Sequence, residues 1–221
     1  MAHLDMGGTR PPAVHPPLLW DRIVRLSHWG IVIVILANEV FTKGGSPVHV
    51  WFGFGGLALL VLRMAWGIIG NPEARFSAFP PNPLAALRHM KQLLKGKPRS
   101  YRSHNPAGAI MAYALWACIA FMVASGISMS GPNPFAVSAR QAIVDSGDWS
   151  QLAKTTEAGD DNEADGWVKD AHEIVANLIL LLVALHIGGV IVESVVMRHN
   201  LVPAMLVGRR ATKADAKTKP Q

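Results

Sequence analysis

Four apolar stretches, roughly residues 23 to 42, 48 to 69, 108 to 130 and 171 to 196, constrain this chain more than any other feature. Each reaches the length of about 20 residues that a helix needs to cross the hydrocarbon core of a bilayer. Within that core only a helix or a closed barrel satisfies its own backbone. Composition agrees: half of the 221 residues are hydrophobic, only 16% are charged, and the mean hydropathy is +0.25. Soluble domains carry roughly 25% charged residues, which argues against a soluble globular enzyme. The expected fold is all-α, an integral membrane bundle of four helices. The connection Thr42-Lys-Gly-Gly-Ser-Pro47 reads as a tight turn, making the first two helices antiparallel neighbours.

The charges orient the bundle. Of the 21 Lys and Arg residues, all but Lys43, Arg140, Lys154 and Lys169 fall in residues 1–27, 63–107 or the tail from Arg198 onward. By the positive-inside rule those three regions face the cytoplasm. Four spans then close with both termini cytoplasmic, in a bacterial inner membrane, and leave the loop 131–170 outside. Three parts are expected: a polar tail at 1–17, a membrane domain at 18–200, and a basic tail at 201–221. Met1 to Pro17 lacks the basic-then-apolar pattern of a cleavable signal, so insertion is expected to use the first span. The outer loop is acidic, with Asp145, Asp148, Glu157, Asp160, Asp161, Glu163, Asp165 and Asp170. It reads either as a solvated loop or as a docking patch for a cationic partner. Leu84 to Lys95 reads as an amphipathic helix lying on the anionic inner leaflet.

The net charge of +6 and pI of about 9.8 would suit a nucleic-acid binder, but the basic residues segregate by loop and no nucleic-acid partner is expected. Cys118 stands alone, which excludes an internal disulfide, a multi-cysteine metal site and covalent c-type haem attachment, and leaves it an inert packing residue.

Four of the nine histidines, His28, His49, His172 and His186, lie within or at the ends of the spans. A lone intramembrane histidine can serve as polar glue between helices. These four match in depth: His28 with His186 near the inner face, His49 with His172 near the outer one. On the fourth helix, 14 residues correspond to about 21 Å of rise, and 14 steps of about 100° return to within about 40° of the same face. One helix can therefore present two imidazoles to one seam at two depths. Two facing pairs of this kind are what two six-coordinate b-type haems require. Gly53, Gly55, Gly56, Gly188 and Gly189 would let a flat macrocycle approach the backbone, or let helices pack closely. Arg22, Arg25 and Arg63 would meet haem propionates or serve as inner anchors. Zinc transport fits less well, because zinc ligands converge on one tetrahedral point.

The chain resembles the bacterial cytochrome b561 family, which includes the b-type subunits of membrane-bound nickel-iron hydrogenases and is related to formate dehydrogenase gamma subunits. The resemblance spans about residues 18 to 210. It is carried by Trp20-Asp21, Arg25-Leu-Ser-His28-Trp29, His49 with Gly53, Arg63-Met-Ala-Trp66-Gly67, Ala74-Arg75-Phe76, His104-Asn105-Pro106, His172-Glu173, and His186 with Gly188-Gly189-Val190. It implies four helices, two non-covalent b haems with His28, His49, His172 and His186 as axial ligands, and electron exchange between membrane quinone and a redox partner. The shorter members, often paired with c-type cytochromes, are the more similar.

The expected activity is transmembrane electron transfer between quinone or quinol and a periplasmic c-type cytochrome or other redox protein, as an electron-transfer subunit or a quinone oxidoreductase. Arg102, His104 and Asn105 form a candidate quinone site, their other reading being a helix cap and a headgroup anchor. Glu39 is a candidate proton-handling group. The alternatives are a superoxide to quinone oxidoreductase, which would want a cationic outer funnel, and the membrane-anchor cytochrome of a hydrogenase-like complex. A cofactor-free transporter or histidine sensor would be colourless. No role is assigned to His3, His15, His89 or His199.

Overall fold

The computed structural model describes residues 20–96, 101, 104–151, 164–198 and 200–207, and among these every regular element is helical. Four helices have the length and composition to cross a membrane. The first, α1 (Arg22–Leu36), is prolonged by a π-helical turn at Ala37–Phe41. Then come α2 (Pro47–Ile69), a short α3 (Pro83–Leu94), and α4 (Pro106–Ser130). The chain continues with α5 (Pro134–Ser146), the long α6 (Ala164–Val196) and one turn and a half of α7 (Val202–Val207). The expected spans are therefore present, and so is the amphipathic helix expected at residues 84 to 95.

Their starts are written in one local code. Ser46-Pro47, Asn82-Pro83, Asn105-Pro106 and Asn133-Pro134 each set a capping side chain before a proline at the first helical position. Proline there gives up an N–H that no helix would have bonded, and the cap side chain accepts from one that would otherwise be orphaned. The caps accept from His49 N, Ala85 N, Gly108 N and Phe135 N at 3.3, 2.9, 2.7 and 3.0 Å.

Close backbone packing runs from α1 to α2, from α2 to α4 and from α4 to α6, with α3 laid against α4. The start of α1, the end of α2, α3, the start of α4 and the end of α6 share one end of the bundle, called proximal below. The Thr42–Ser46 turn and α5 lie at the distal end. Leu60, Ile119 and Ile179 form a buried layer at mid-height, with Ile31, Ile35, Trp116, Met122 and Val183 around it. Large side chains such as Ile33, Val61, Ile68, Leu181 and Val195 point outward and stay exposed. In water so much bare apolar surface would be a liability, and facing lipid it costs nothing.

The distal segment departs from the sequence reading. Residues 131–170 were expected as a loop, whereas α5 occupies Pro134–Ser146 and packs on α2, where the Trp51 indole donates to Ser138 Oγ at 3.3 Å and meets the Phe135 ring edge-on at 4.9 Å. Similarly, α6 begins at Ala164 rather than near 171, because its first turns are polar and project beyond the apolar window. The acidic residues Glu157, Asp160, Asp161 and Glu163 lie outside the described residues, as do the tails at 1–17 and beyond 207.

Asp21 ties the proximal end together. It caps α1 by accepting from Ile23 N at 2.7 Å, and its other oxygen accepts from Trp66 Nε1 at 2.6 Å and Asn71 Nδ2 at 2.9 Å. One carboxylate thus holds the start of α1 to the end of α2 and to the loop after it. Gly67, opposite, is required by packing: a Cβ there would fall inside the Phe76 ring. Replacing Asp21 with Ala is expected to cost about 2–4 kcal/mol, from one lost cap and two charge-assisted hydrogen bonds. Thermal unfolding of the detergent-purified variant checks this, and an unchanged Tm would contradict it.

Candidate functional site

The four span histidines come together as two pairs. His28 on α1 faces His186 on α6 with ring centres 6.4 Å apart and planes at 54°. His49 on α2 faces His172 on α6 with centres 6.3 Å apart and planes at 57°. A ligating imidazole nitrogen stands about 2 Å from a transition metal. With the ring centre about 1.1 Å further back, two imidazoles on opposite sides of one ion have centres about 6 Å apart. Both pairs have that spacing. Among the described residues no three His, Cys, Asp or Glu side chains converge on a point, so each site offers a pair of nitrogens and not a tetrahedron.

At the distal pair the second ring nitrogens are already engaged. Ser125 Oγ donates to the Phe121 carbonyl at 2.7 Å and lies 2.8 Å from His172 Nδ1. Thr42 Oγ1 donates to the Asn38 carbonyl at 3.0 Å and lies 3.2 Å from His49 Nδ1. In each case the hydroxyl proton is spent on a helix carbonyl, so the oxygen is left to accept from Nδ1–H, and Nε2 keeps its lone pair. Such an outer partner fixes both tautomer and ring direction for a metal-binding histidine. The π-helical turn at Ala37–Phe41 leads straight into Thr42, and π turns recur at functional sites.

A cavity surrounds each pair. The distal one measures about 620 Å³ and the proximal one about 500 Å³, within the range of ligand sites. Ile35 and Ile119 line both, so the mid-height layer is the wall between them. Gly53 and Gly56 line the distal cavity, and a Cβ on Gly53 would meet nothing within 4 Å. Gly55, Gly188 and Gly189 line neither; the last two are exposed on the outside of α6, which corrects the expectation that they admit a macrocycle.

Arg63 is only 3% exposed, on the wall of the proximal cavity. Its guanidinium lies 4.9 Å from the Trp116 ring centre, 5.8 Å from Phe76 and 5.9 Å from Phe79, and Nη2 donates to the Ala74 carbonyl at 3.3 Å. Nη1 is buried without a hydrogen-bond partner. A buried cation with a spare donor calls for an anion. Arg25 instead donates to the Leu206 carbonyl at 2.9 Å and clasps α7, and neither it nor Arg22 lines a cavity.

Of the residues expected to form a quinone site, His104 and Asn105 line the proximal cavity beside Tyr101, while Arg102 lies outside the described residues. The His104 ring sits between Trp20 and Phe79, with centres 4.8 and 4.5 Å away. Burial, then Arg63, His186 and His28, hold its pKa down at about 3. Asn105 caps α4, as one of its two sequence readings required, and its amide also donates to Glu193. Glu39 lines the distal cavity together with Arg140, Lys169 and Glu173. Sequence reading missed Ser125, Thr42, Tyr101, His89 and Glu193. Two of these carried a signal: His89 follows Ala86 by three residues on one helix face, and Glu193 follows His186 by seven, two turns along the same face.

A four-span bundle with two facing imidazole pairs, each in a largely apolar cavity, has the features of membrane proteins that clamp a flat metal complex between helices. The family model of the prokaryotic cytochromes b561 matches residues 19–208, and the chain belongs to that family. Comparison with the curated proteins and with the solved structures finds no match. Membership makes this a multi-pass membrane b-type cytochrome, which binds haem b and moves electrons across the membrane. The residues fit the cofactor, with imidazole pairs for the iron, slots for the ring, and the unpartnered Nη1 of Arg63 for a carboxylate.

His104 yields a pH prediction. Its folded-state pKa lies below the ordinary 6.5, so between those values the unfolded chain binds the proton that the folded protein refuses. Its contribution therefore lowers stability as pH falls from about 6.5 toward 3. Substituting Gln for His104 should flatten the acid decline of Tm, and NMR of labelled imidazoles should show this ring neutral down to about pH 4. A midpoint near 6.5 would contradict it.

Proposed function

We propose that the protein carries electrons through two b haems, one held by His28 and His186 and the other by His49 and His172, between membrane quinone and a redox protein such as a periplasmic c-type cytochrome. The observation that carries this reading is the equal spacing of the two imidazole pairs, 6.4 and 6.3 Å. The distribution of Lys and Arg supports a cytoplasmic proximal end, an inner-membrane location and a periplasmic distal face.

Bound haem b supplies a one-electron iron couple at each level. The chain's residues do the rest. His172 and His186, 14 residues apart on α6, would set the two haem levels about 21 Å apart along the helix. Ser125 and Thr42 keep the distal rings aimed. Arg63 neutralises a carboxylate at the proximal level, and Arg140 and Lys169 stand ready for the same task at the distal mouth. Leu60, Ile119 and Ile179 exclude water from the region between the levels. His104, Asn105 and Tyr101 line a polar end of the proximal cavity where a quinone headgroup would bind.

A second reading, superoxide oxidation at the distal face with quinone as electron acceptor, draws on Arg140 and Lys169 in the distal lining, although Glu39 and Glu173 beside them offset that charge. Reduction of the oxidised protein by a superoxide-generating system, suppressed in R140E/K169E, would favour it over the cytochrome c reading.

Two outcomes are expected. Pyridine haemochrome assay of the purified protein should give two b haems per chain, falling to about one in each of the four single His→Ala variants; one haem in the wild type would remove the proposal. Replacing Ser125 by Ala should weaken retention of the distal haem about 10–100-fold, the usual cost of losing an outer hydrogen bond to a ligand. Titrating apoprotein with haem would show it.

A further inference from the structure

The proximal cavity reaches well past its histidine pair. Its lining runs down α6 from His186 to Glu193, a rise of about 10 Å. A flat macrocycle held by His28 and His186 would take up the histidine level, and the lining continues beyond that level to Tyr101, Asn105 and Glu193. At that end a carboxylate is half-buried near the edge of a membrane span, its side chain 12% exposed. Such a group is costly unless it is partnered or used. One oxygen of Glu193 accepts from the Asn105 amide, and the other lies 3.9 Å from Nε2 of His89.

His89 is the more unusual of the two. It belongs to α3, the amphipathic helix at the bundle end, where the polar residues would be expected to face water. Arg88 and Lys91 do so, yet His89 is 2% exposed and turned into the bundle, with the Tyr101 ring edge-on at 5.3 Å. Its Nδ1 is buried without a hydrogen-bond partner. Burial lowers its pKa, so a proton that reaches the ring is readily given up again. Holding α3 on α4 requires none of this, since Ala86 on the same face packs without polar cost. A carboxylate on the cavity wall, backed by an imidazole on the helix at the bundle end, lies in line from the cavity toward that end of the bundle.

We propose that Glu193 accepts the proton given up by a hydroquinone bound at the deep polar end of the proximal cavity, and that His89 passes it to the water at that membrane surface. The proposal rests on the quinone reading above. Oxidising one hydroquinone breaks two O–H bonds and yields one quinone, two electrons and two protons. The electrons leave singly to ferric haem b, and each proton goes to the Glu193 carboxylate, then to His89, then to water, which resets the pair between transfers. Quinone reduction runs the same route backwards. Glu193 is the group that meets the substrate, and His89 acts through it.

The test is stopped-flow reduction of the haem-loaded protein by duroquinol, with haem content measured for every variant. E193Q keeps an acceptor for the Asn105 amide while removing the base. It should retain wild-type haem content, bind duroquinol with KM within about threefold, and lose about 100-fold or more in the limiting rate, as expected when a general base is removed. Glu193→Asp, which restores a carboxylate, should recover much of that loss. H89Q should lose about tenfold and enlarge the solvent deuterium isotope effect on the limiting rate. Wild-type rates in loaded E193Q and H89Q, or equal losses in the Gln and Asp variants, would overturn the proton route while leaving the quinone reading in place. Wild-type protein that neither takes electrons from duroquinol nor yields them to duroquinone would overturn both.

Discussion

An imidazole in hydrocarbon has to be satisfied at both ring nitrogens, and the rest of this structure is arranged around that demand. Leaving such a group unpaired in a medium without water costs several kcal/mol. Here each of the four span histidines faces another across the bundle, and at the distal level the outward nitrogens find Thr42 and Ser125. Those hydroxyls can accept only because helix carbonyls take their protons, so the demand reaches back into the backbone of α4 and of the π-helical turn. Helix placement follows: close packing runs from α1 through α2 and α4 to α6 and leaves room between the outer members of that series for the two cavities.

The proximal end solves a harder version of the same problem, because it gathers more charge. Arg63 replaces water with the faces of Trp116, Phe76 and Phe79 and with one carbonyl. Aromatic rings suit that purpose, offering apolar bulk to the surroundings and negative faces to the cation. Gly67 makes the arrangement possible by admitting Phe76 against the α2 backbone. Asp21 contributes the opposite charge at the same end, with its oxygens occupied by α1, Trp66 and Asn71.

The spans and the level matching of the histidines were legible in the sequence because both follow from fixed helix geometry: 1.5 Å per residue sets depth, and 3.6 residues per turn sets the face. The helix starts at Pro47, Pro83, Pro106 and Pro134 were legible in principle from the polar residue before each, yet α5 was read as a loop, since hydropathy alone does not mark a helix lying on the bundle end. The π-helical turn left no pattern, because a single turn at Ala37–Phe41 is too short to alter the helical periodicity of the span. Gly188 and Gly189 were misplaced by proximity in sequence: two steps of about 100° carry Gly188 to the far side of the helix from His186, and Gly189, though nearer the His186 face, is likewise exposed and lines neither cavity. His89 was passed over for a similar reason. Its helix was read by its basic and leucine-rich surface, and only tertiary packing shows that one face is turned inward onto Glu193.

The wall that Ile35 and Ile119 place between the two cavities has an electrical meaning. It is a thin, dry, low-permittivity partition near the middle of the membrane, and the transmembrane voltage falls most steeply across such a layer. Ions and protons cannot follow an electron through packed isoleucine side chains. A charge passing from one level to the other therefore travels through part of the membrane field uncompensated, at about 2.3 kcal/mol for each 100 mV of the potential actually crossed. In the proposed two-haem reading, such a partition would make the distribution of electrons between the two ends depend on the membrane potential.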